Sequence, residues 1–252
     1  MIRLLMPEEL DCLSAFCRES VFGCRIVSAA AMYGGFPFTD FWMQTDDSGT
    51  PCAALAKVEG VVTLEVWGRP DWEELRAFLD RIGGSVCVFN RNLAELLNLT
   101  PTRFGSVLTR NLTPLSEERK EEEPDHPRLR EIYDLLRLCE TNTFRPPPWE
   151  PFYLDLSHRL RHHGAHLVGI RRESRLTACA MTVAETDAMA ILGGVAVAPD
   201  TRRQGLGRLA VELLLAQLPQ LHVAVFRAEQ ENQAFYQSLG FVSAGEWAEF
   251  DW

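Results

Sequence analysis

At 252 residues, with 46% hydrophobic and 24% charged residues, the chain has ordinary globular composition and suffices for one large domain or two of usual size. Its net charge of −10 argues against a general nucleic-acid binder, which needs basic surface, and is compatible with a cationic partner such as an amine. Glu8 and Glu9 interrupt the start, and the apolar run 188–198 is too short to span a bilayer, so a soluble, cytoplasmic protein without signal peptide is expected.

Residues 8–20 read as a helix, with Leu10, Leu13, Phe16 and Cys17 at helical spacing. Residues 21–40 are less regular, with a loop marked by Gly34, Gly35 and Pro37. Strands are expected at 40–44, 52–58 and 61–66, separated by turns at 46–49 and 59–60. Asp71 serves as N-cap for a helix to Arg81 that carries Trp72, Leu75, Phe78 and Leu79 on one face. Strand 85–90, a short helix 92–97 and strand 104–110 follow. Residues 116–125 hold no apolar side chain, so 113–127 read as a charged linker between domains 1–112 and 128–252.

The second half restarts with a helix over 129–141, the triple proline 146–148 and a helix over 149–161. Strands at 165–170, 176–184 and 189–197 lead to a helix over 205–218. Strand 221–226, a short helix 231–239 and strand 241–250 complete the chain. Both halves share this order, and Val86-Cys87-Val88-Phe89 echoes Val223-Ala224-Val225-Phe226, which points to a degenerate internal duplication. The 7 cysteines are odd in number, scattered and without a Cys-x-x-Cys, which fits free thiols in a reducing compartment. His158, His162 and His166 are spaced four apart, but Gly164 breaks the helix between them and no metal site is expected.

The chemistry concentrates after the strand 189–197. The run Val195-Ala196-Val197-Ala198-Pro199-Asp200-Thr201-Arg202-Arg203-Gln204-Gly205-Leu206-Gly207-Arg208 is strand, glycine-containing turn and helix start. Such a turn exposes N–H groups without intrahelical partners at the positive end of the helix dipole, and so suits an anion such as a pyrophosphate. No Gly-Lys-Ser/Thr follows, which excludes a Walker loop, and the first glycine of a dinucleotide fingerprint is missing. About two dozen residues later stands Asn232-Gln233-Ala234-Phe235-Tyr236-Gln237-Ser238-Leu239-Gly240-Phe241.

Together the two segments resemble the GNAT superfamily of acetyl-CoA-dependent N-acyltransferases, over roughly residues 128–252. The resemblance implies an α/β protein of tandem GNAT-like folds, each a mixed, mostly antiparallel sheet flanked by helices. It implies that the backbone of Val195, Ala196 and Val197 pairs with the pantetheine arm of acetyl-CoA. The backbone N–H groups of the loop Arg202, Arg203, Gln204, Gly205, Leu206, Gly207 and Arg208 would hold the pyrophosphate. Asn232 and Phe235 would border the cofactor, and Tyr236 would protonate the departing thiolate. A glutamate base that some members carry is replaced by Ile191, leaving Glu185 or a water chain for that role. The acceptor side would involve Trp149 and Tyr153, for which plain core packing is the alternative. The implied reaction is direct acetyl transfer to a primary amine; an acetyl-CoA sensor without turnover and a transferase of longer acyl groups remain open. The turn Trp67-Gly68-Arg69-Pro70-Asp71-Trp72 lacks the motif, so no acetyl-CoA is expected in the first half.

Overall fold

The computed structural model describes residues 1–17, 19–112, 127–219, 222–229 and 232–252. The expected linker lies outside these residues apart from Pro127. In chain order the elements are β1 (Ile2–Leu4), α1 (Cys12–Cys17), α2 (Val21–Tyr33), β2 (Thr39–Thr45), β3 (Pro51–Val58), β4 (Val61–Val66), α3 (Trp72–Ile82), β5 (Val86–Asn90) and β6 (Arg103–Asn111). Then come α4 (Leu129–Leu138), α5 (Trp149–Arg161), β7 (Leu167–Arg172), β8 (Arg175–Glu185), β9 (Met189–Val197), α6 (Leu206–Leu215), β10 (His222–Ala228), α7 (Gln233–Ser238) and β11 (Val242–Asp251).

Two compact units form: Met1–Leu108 with Phe226–Glu231 and Ser243–Trp252, and Thr109–Val225 with Asn232–Val242. In the first, the strand order is β1-β2-β3-β4-β5-β11-β6. Strands β2, β3 and β4 are antiparallel, while β4 and β5 run parallel from Val61↔Val86 to Thr63↔Val88. The last strand of the chain, β11, lies antiparallel to β5 from Trp247↔Asn90 to Asp251↔Val86. From local pattern alone, residues 128–252 read as one second domain. Backbone pairing gives these final residues to the first unit instead, and no local pattern encodes which edge a strand will join.

The second unit orders its strands β10-β9-β8-β7. Here β7, β8 and β9 are antiparallel, and β9 and β10 are parallel from Met189↔His222 to Leu192↔Val225. Each unit thus carries a mixed, mostly antiparallel sheet with helices, as expected. The two echoing fragments hold the same place, as the strand running parallel to the one before the helix.

Sequence periodicity explains most helices. In α4, Ile132, Tyr133, Leu135 and Leu136 are buried, and in α6 Leu206, Ala210, Val211, Leu214 and Leu215 are. Helix α2 is the exception, because the sequence reading found no regular pattern there. It buries Phe22, Cys24, Ile26, Ser28, Ala29 and Tyr33 around its circumference, so no polar stripe marks it. Its start is nonetheless explicit: the Ser20 hydroxyl accepts from the Gly23 N–H at 2.8 Å. Gly23 is required there, since a Cβ would strike the Cys17 carbonyl at the close of α1.

Glu131 ties the start of α4 to β7. Its two carboxylate oxygens each accept from Arg171 at 2.7 Å, and Oε2 also accepts from the Arg128 N–H at 3.0 Å. The Arg171 guanidinium, with the Arg128 N–H second, holds the carboxyl down at about 2 against an ordinary 4.5. Its stabilisation is therefore complete above pH 4.5 and is lost as the pH falls towards 2. Glu131→Gln should lower unfolding free energy at pH 7 by about 1 kcal/mol, both partners being partly solvated. Denaturant melts at pH 7 and pH 3 should show the gap to wild type narrowing at the lower pH.

Candidate cofactor and catalytic site

The site begins with a defect in β9. From Thr182↔Leu192 and Met181↔Gly193 the register jumps to Cys179↔Ala196, so β9 advances three residues while β8 advances two. The extra residue is a β-bulge at Gly194, whose φ of +53° suits glycine; a Cβ there would also fall on the Met181 side chain. Parallel pairing with β10 ends at Leu192↔Val225, just before the bulge. From Gly193 to Val197, β9 runs on with β8 along one side.

The Ala198 N–H donates to the Thr177 carbonyl at 2.8 Å, which sets the alternation along this end of β9. Ala196, opposite Cys179, turns its N–H and C=O towards β8, and Val197 turns its own towards the open edge. Val195 stands next to the bulge. Of the three residues expected to pair with a cofactor arm, Ala196 thus has its backbone engaged within the sheet. At the edge, the Val197 carbonyl accepts from the Cys139 thiol at 3.2 Å and from Arg202 Nε at 3.3 Å.

After β9 a tight turn at Pro199–Thr201 is anchored by an Arg175–Asp200 ion pair at 2.6 Å. Arg203 and Gly205 both adopt left-handed backbone, with φ of +66° and +81°. Helix α6 then starts at Gly205, which has no side chain to cap it, and its first turn carries no acid. Arg202, Arg203, Gln204 and Gly205 are exposed, while Leu206 is buried and pins the helix start. The exposed turn therefore presents N–H groups and a positive dipole end without a carboxylate of its own. Gly207 packs closely: a Cβ would sit 3.1 Å from Val197 Cγ2 and 3.5 Å from the Phe235 ring. The Arg208 side chain turns away from the loop to Ser238, with Nη2 donating to the carbonyl at 2.7 Å and to Oγ at 3.0 Å.

Helix α7 follows Asn232, which is left-handed at φ +53°. Tyr236 is buried at 8% exposure, its ring edge-on to Phe235 at 5.0 Å and Phe241 at 5.6 Å. Burial pushes its phenol up to about 12. The hydroxyl therefore keeps its proton across the neutral range and is a hydrogen-bond donor.

The residues expected on the acceptor side do not converge. Trp149 lies in an aromatic cluster with Tyr133 at 5.2 Å and Tyr153 at 5.4 Å, under the Arg130 guanidinium at 4.9 Å. Trp149 is half-buried there and Tyr153 is 44% exposed. Glu185 is elsewhere, with its side chain only 5% exposed. Its carboxylate accepts from the Thr182 hydroxyl and bonds His166 Nδ1 at 2.9 Å. His166 was not singled out as Glu185's partner; the two are 19 residues apart and meet only through the β7–β8 hairpin. Between α4 and α5 an open cleft of about 370 Å³ is lined by Arg137, Glu140, Thr141, Asn142, Arg145 and Pro146. The rings of His158 and His162 lie 4.4 Å apart, tilted at 42°. Among the described residues no group of three or more His, Cys, Asp and Glu could hold a metal ion.

The corresponding turn of the first unit is closed by the protein itself. Strand β4 keeps an unbroken register with β3 as far as Ala53↔Val66, so it has no bulge. The N–H groups of Trp67 and Gly68 both donate to the Cys52 carbonyl, at 3.0 and 3.2 Å. The Asp71 carboxylate accepts from the Glu74 N–H at 2.9 Å, and Glu73 and Glu74 add further negative charge in the first turn of α3.

Residues 129–241 match the model of the acetyltransferase (GNAT) family. A tandem GNAT protein from the clavulanic acid biosynthesis pathway is similar in structure, at 14% identity over 99% of this chain and 97% of that one, with a TM-score of 0.63. A GNAT-family acetyltransferase from Colwellia psychrerythraea covers 100% and 99% at 16% identity and a TM-score of 0.58. A GCN5-related N-acetyltransferase from Sphaerobacter thermophilus covers 99% and 94% at 14% identity and a TM-score of 0.61. At such identities the likeness establishes the fold. No curated protein matches the sequence.

The hydrogen bond from Glu185, ahead of the charge itself, raises the pKa of His166 above its ordinary 6.5. The pair's stabilisation is full below pH 6.5 and is lost as the pH rises through the raised value. Titration of the His166 ring by NMR should give a midpoint above 6.5 that returns towards it in Glu185→Gln.

Proposed function

We propose that the second unit transfers an acetyl group from acetyl-CoA to a primary amine. The observation that carries this reading is the contrast between the two helix starts. Helix α6 begins uncapped, without an acid, behind two left-handed residues, whereas α3 begins with Asp71, Glu73 and Glu74. The first arrangement favours a bound pyrophosphate and the second repels one. The open edge of β9 at Val197 and Val195 would take the pantetheine amides. The Phe235 ring against Gly207 supports α7 as the wall of the same site.

When bound, acetyl-CoA supplies an activated thioester carbonyl. The neutral amine nitrogen forms the new C–N bond to that carbon as the C–S bond breaks, and the proton shed by nitrogen ends on sulfur. Tyr236 contributes the hydroxyl donor for the departing thiolate, since a phenol is protonated at neutral pH. Glu185 is a poor base, since both its neighbours already use its oxygens. None of the 7 cysteines is in a disulfide. Among the described residues, no helix is long and apolar enough to cross a membrane.

One observation favours an acetyl-CoA binder without turnover: Ile191, 1% exposed, stands where some relatives of the motif carry a base. Release of CoA from acetyl-CoA against a panel of amines separates the two readings, and the transferase requires amine-dependent release. Calorimetry on wild type should detect acetyl-CoA binding; a flat titration would overturn both. Tyr236→Phe should bind acetyl-CoA as wild type does while turnover drops about 100-fold.

A further inference from the structure

Helix α7 is only six residues long, too short to hold its shape by internal hydrogen bonds alone. What fixes it comes from the first turn of α6. Gly207 accepts the Phe235 ring, and the next residue, Arg208, reaches the other end of α7. Its Nη2 donates to the Ser238 carbonyl at 2.7 Å and to Ser238 Oγ at 3.0 Å. The Ser238 hydroxyl in turn donates to the Phe235 carbonyl at 2.7 Å. A guanidinium on the last carbonyls of a helix satisfies an orphan acceptor and sits at the negative end of the dipole. The opposite edge of the guanidinium is held by Glu212, one turn along α6, at 3.1 Å. Arg208 is thus braced on α6 and holds α7 at Ser238, whose hydroxyl reaches back to Phe235 on the other side of Tyr236.

We propose that Arg208 is a positioning residue that couples occupation of the α6 N-terminus to the order of α7, and so to the placement of Tyr236. This rests on the proposed acetyl-CoA site. The backbone N–H of Arg208 belongs to the turn that would meet the pyrophosphate, while its side chain belongs to α7. Ordering the one orders the other, because the same residue carries both. The role differs from the anion contact expected for this arginine, in which only its N–H takes part.

Amide hydrogen exchange of residues 234–241, with and without saturating CoA, tests this. In wild type, CoA should slow exchange of the Tyr236, Leu239, Gly240 and Phe241 amides by about tenfold. These amides donate within α7 and its cap, to Asn232, Tyr236 and Gln237 carbonyls. In Arg208→Gln, with CoA raised to saturation as judged by calorimetry, the slowing should fall below about threefold. Arg208→Lys, which restores a cation and one donor, should recover part of the slowing. A purely structural role would raise exchange in Arg208→Gln equally with and without CoA and leave the wild-type ratio intact; that result overturns the proposal. A wild-type protein that fails to bind CoA overturns the cofactor site and the coupling together, whereas CoA binding with an unchanged ratio in Arg208→Gln overturns the coupling alone.

Discussion

The β-bulge at Gly194 is the constraint on which the candidate site depends. A regular β9 would present a full ladder to its neighbours, as β4 does to β3 in the first unit. The extra residue breaks the register with β8 immediately after the parallel pairing with β10 has ended at Leu192. It can exist because glycine adopts the left-handed backbone without strain and because Met181 needs the space a Cβ would fill. Beyond Leu192, β9 keeps β8 on one side and has no pairing with β10 on the other, an arrangement that is costly unless something pairs with it. The protein meets part of that demand itself, with Cys139 and Arg202 on the Val197 carbonyl.

The second determinant is electrostatic, and it distinguishes two similar turns. Both units place a helix after the strand that opens a parallel pair. In the first unit the helix start is filled by Asp71 and shielded by Glu73 and Glu74, and the preceding N–H groups are spent on Cys52. In the second, glycine replaces the capping acid, and two left-handed residues turn the backbone outward. Similar secondary structure therefore carries acids at one helix start and none in the first turn of the other. The difference is decided by a few side chains within one helical turn, the distance over which a helix end acts.

Much of this was legible in the sequence. The glycines at 205 and 207, the tyrosine at 236 and the order of elements all follow from local patterns, and the fold class agrees with the structure. Helix α2 was not legible, because a helix buried all round has no polar face to give it a period, although Ser20 marked its start. The pairing of Glu185 with His166 was not legible either, because those residues meet only across a hairpin. Nor was the destination of β11, whose residues pair with β5 more than 150 positions away in sequence.

By itself the sequence determined which residue types stand at the proposed anion and proton-donor positions: a turn that glycine opens, and a tyrosine one helical turn after an asparagine. Those requirements are local, set by backbone freedom and side-chain chemistry. The tertiary structure alone decided which groups remain available. It turned Ala196 into the sheet and Val197 out of it, buried Tyr236 among Phe235 and Phe241, took Glu185 into a pair with His166, and set Arg208 across two helices. Each of these outcomes depends on a partner distant in the chain, and no window of sequence contains both members of such a pair.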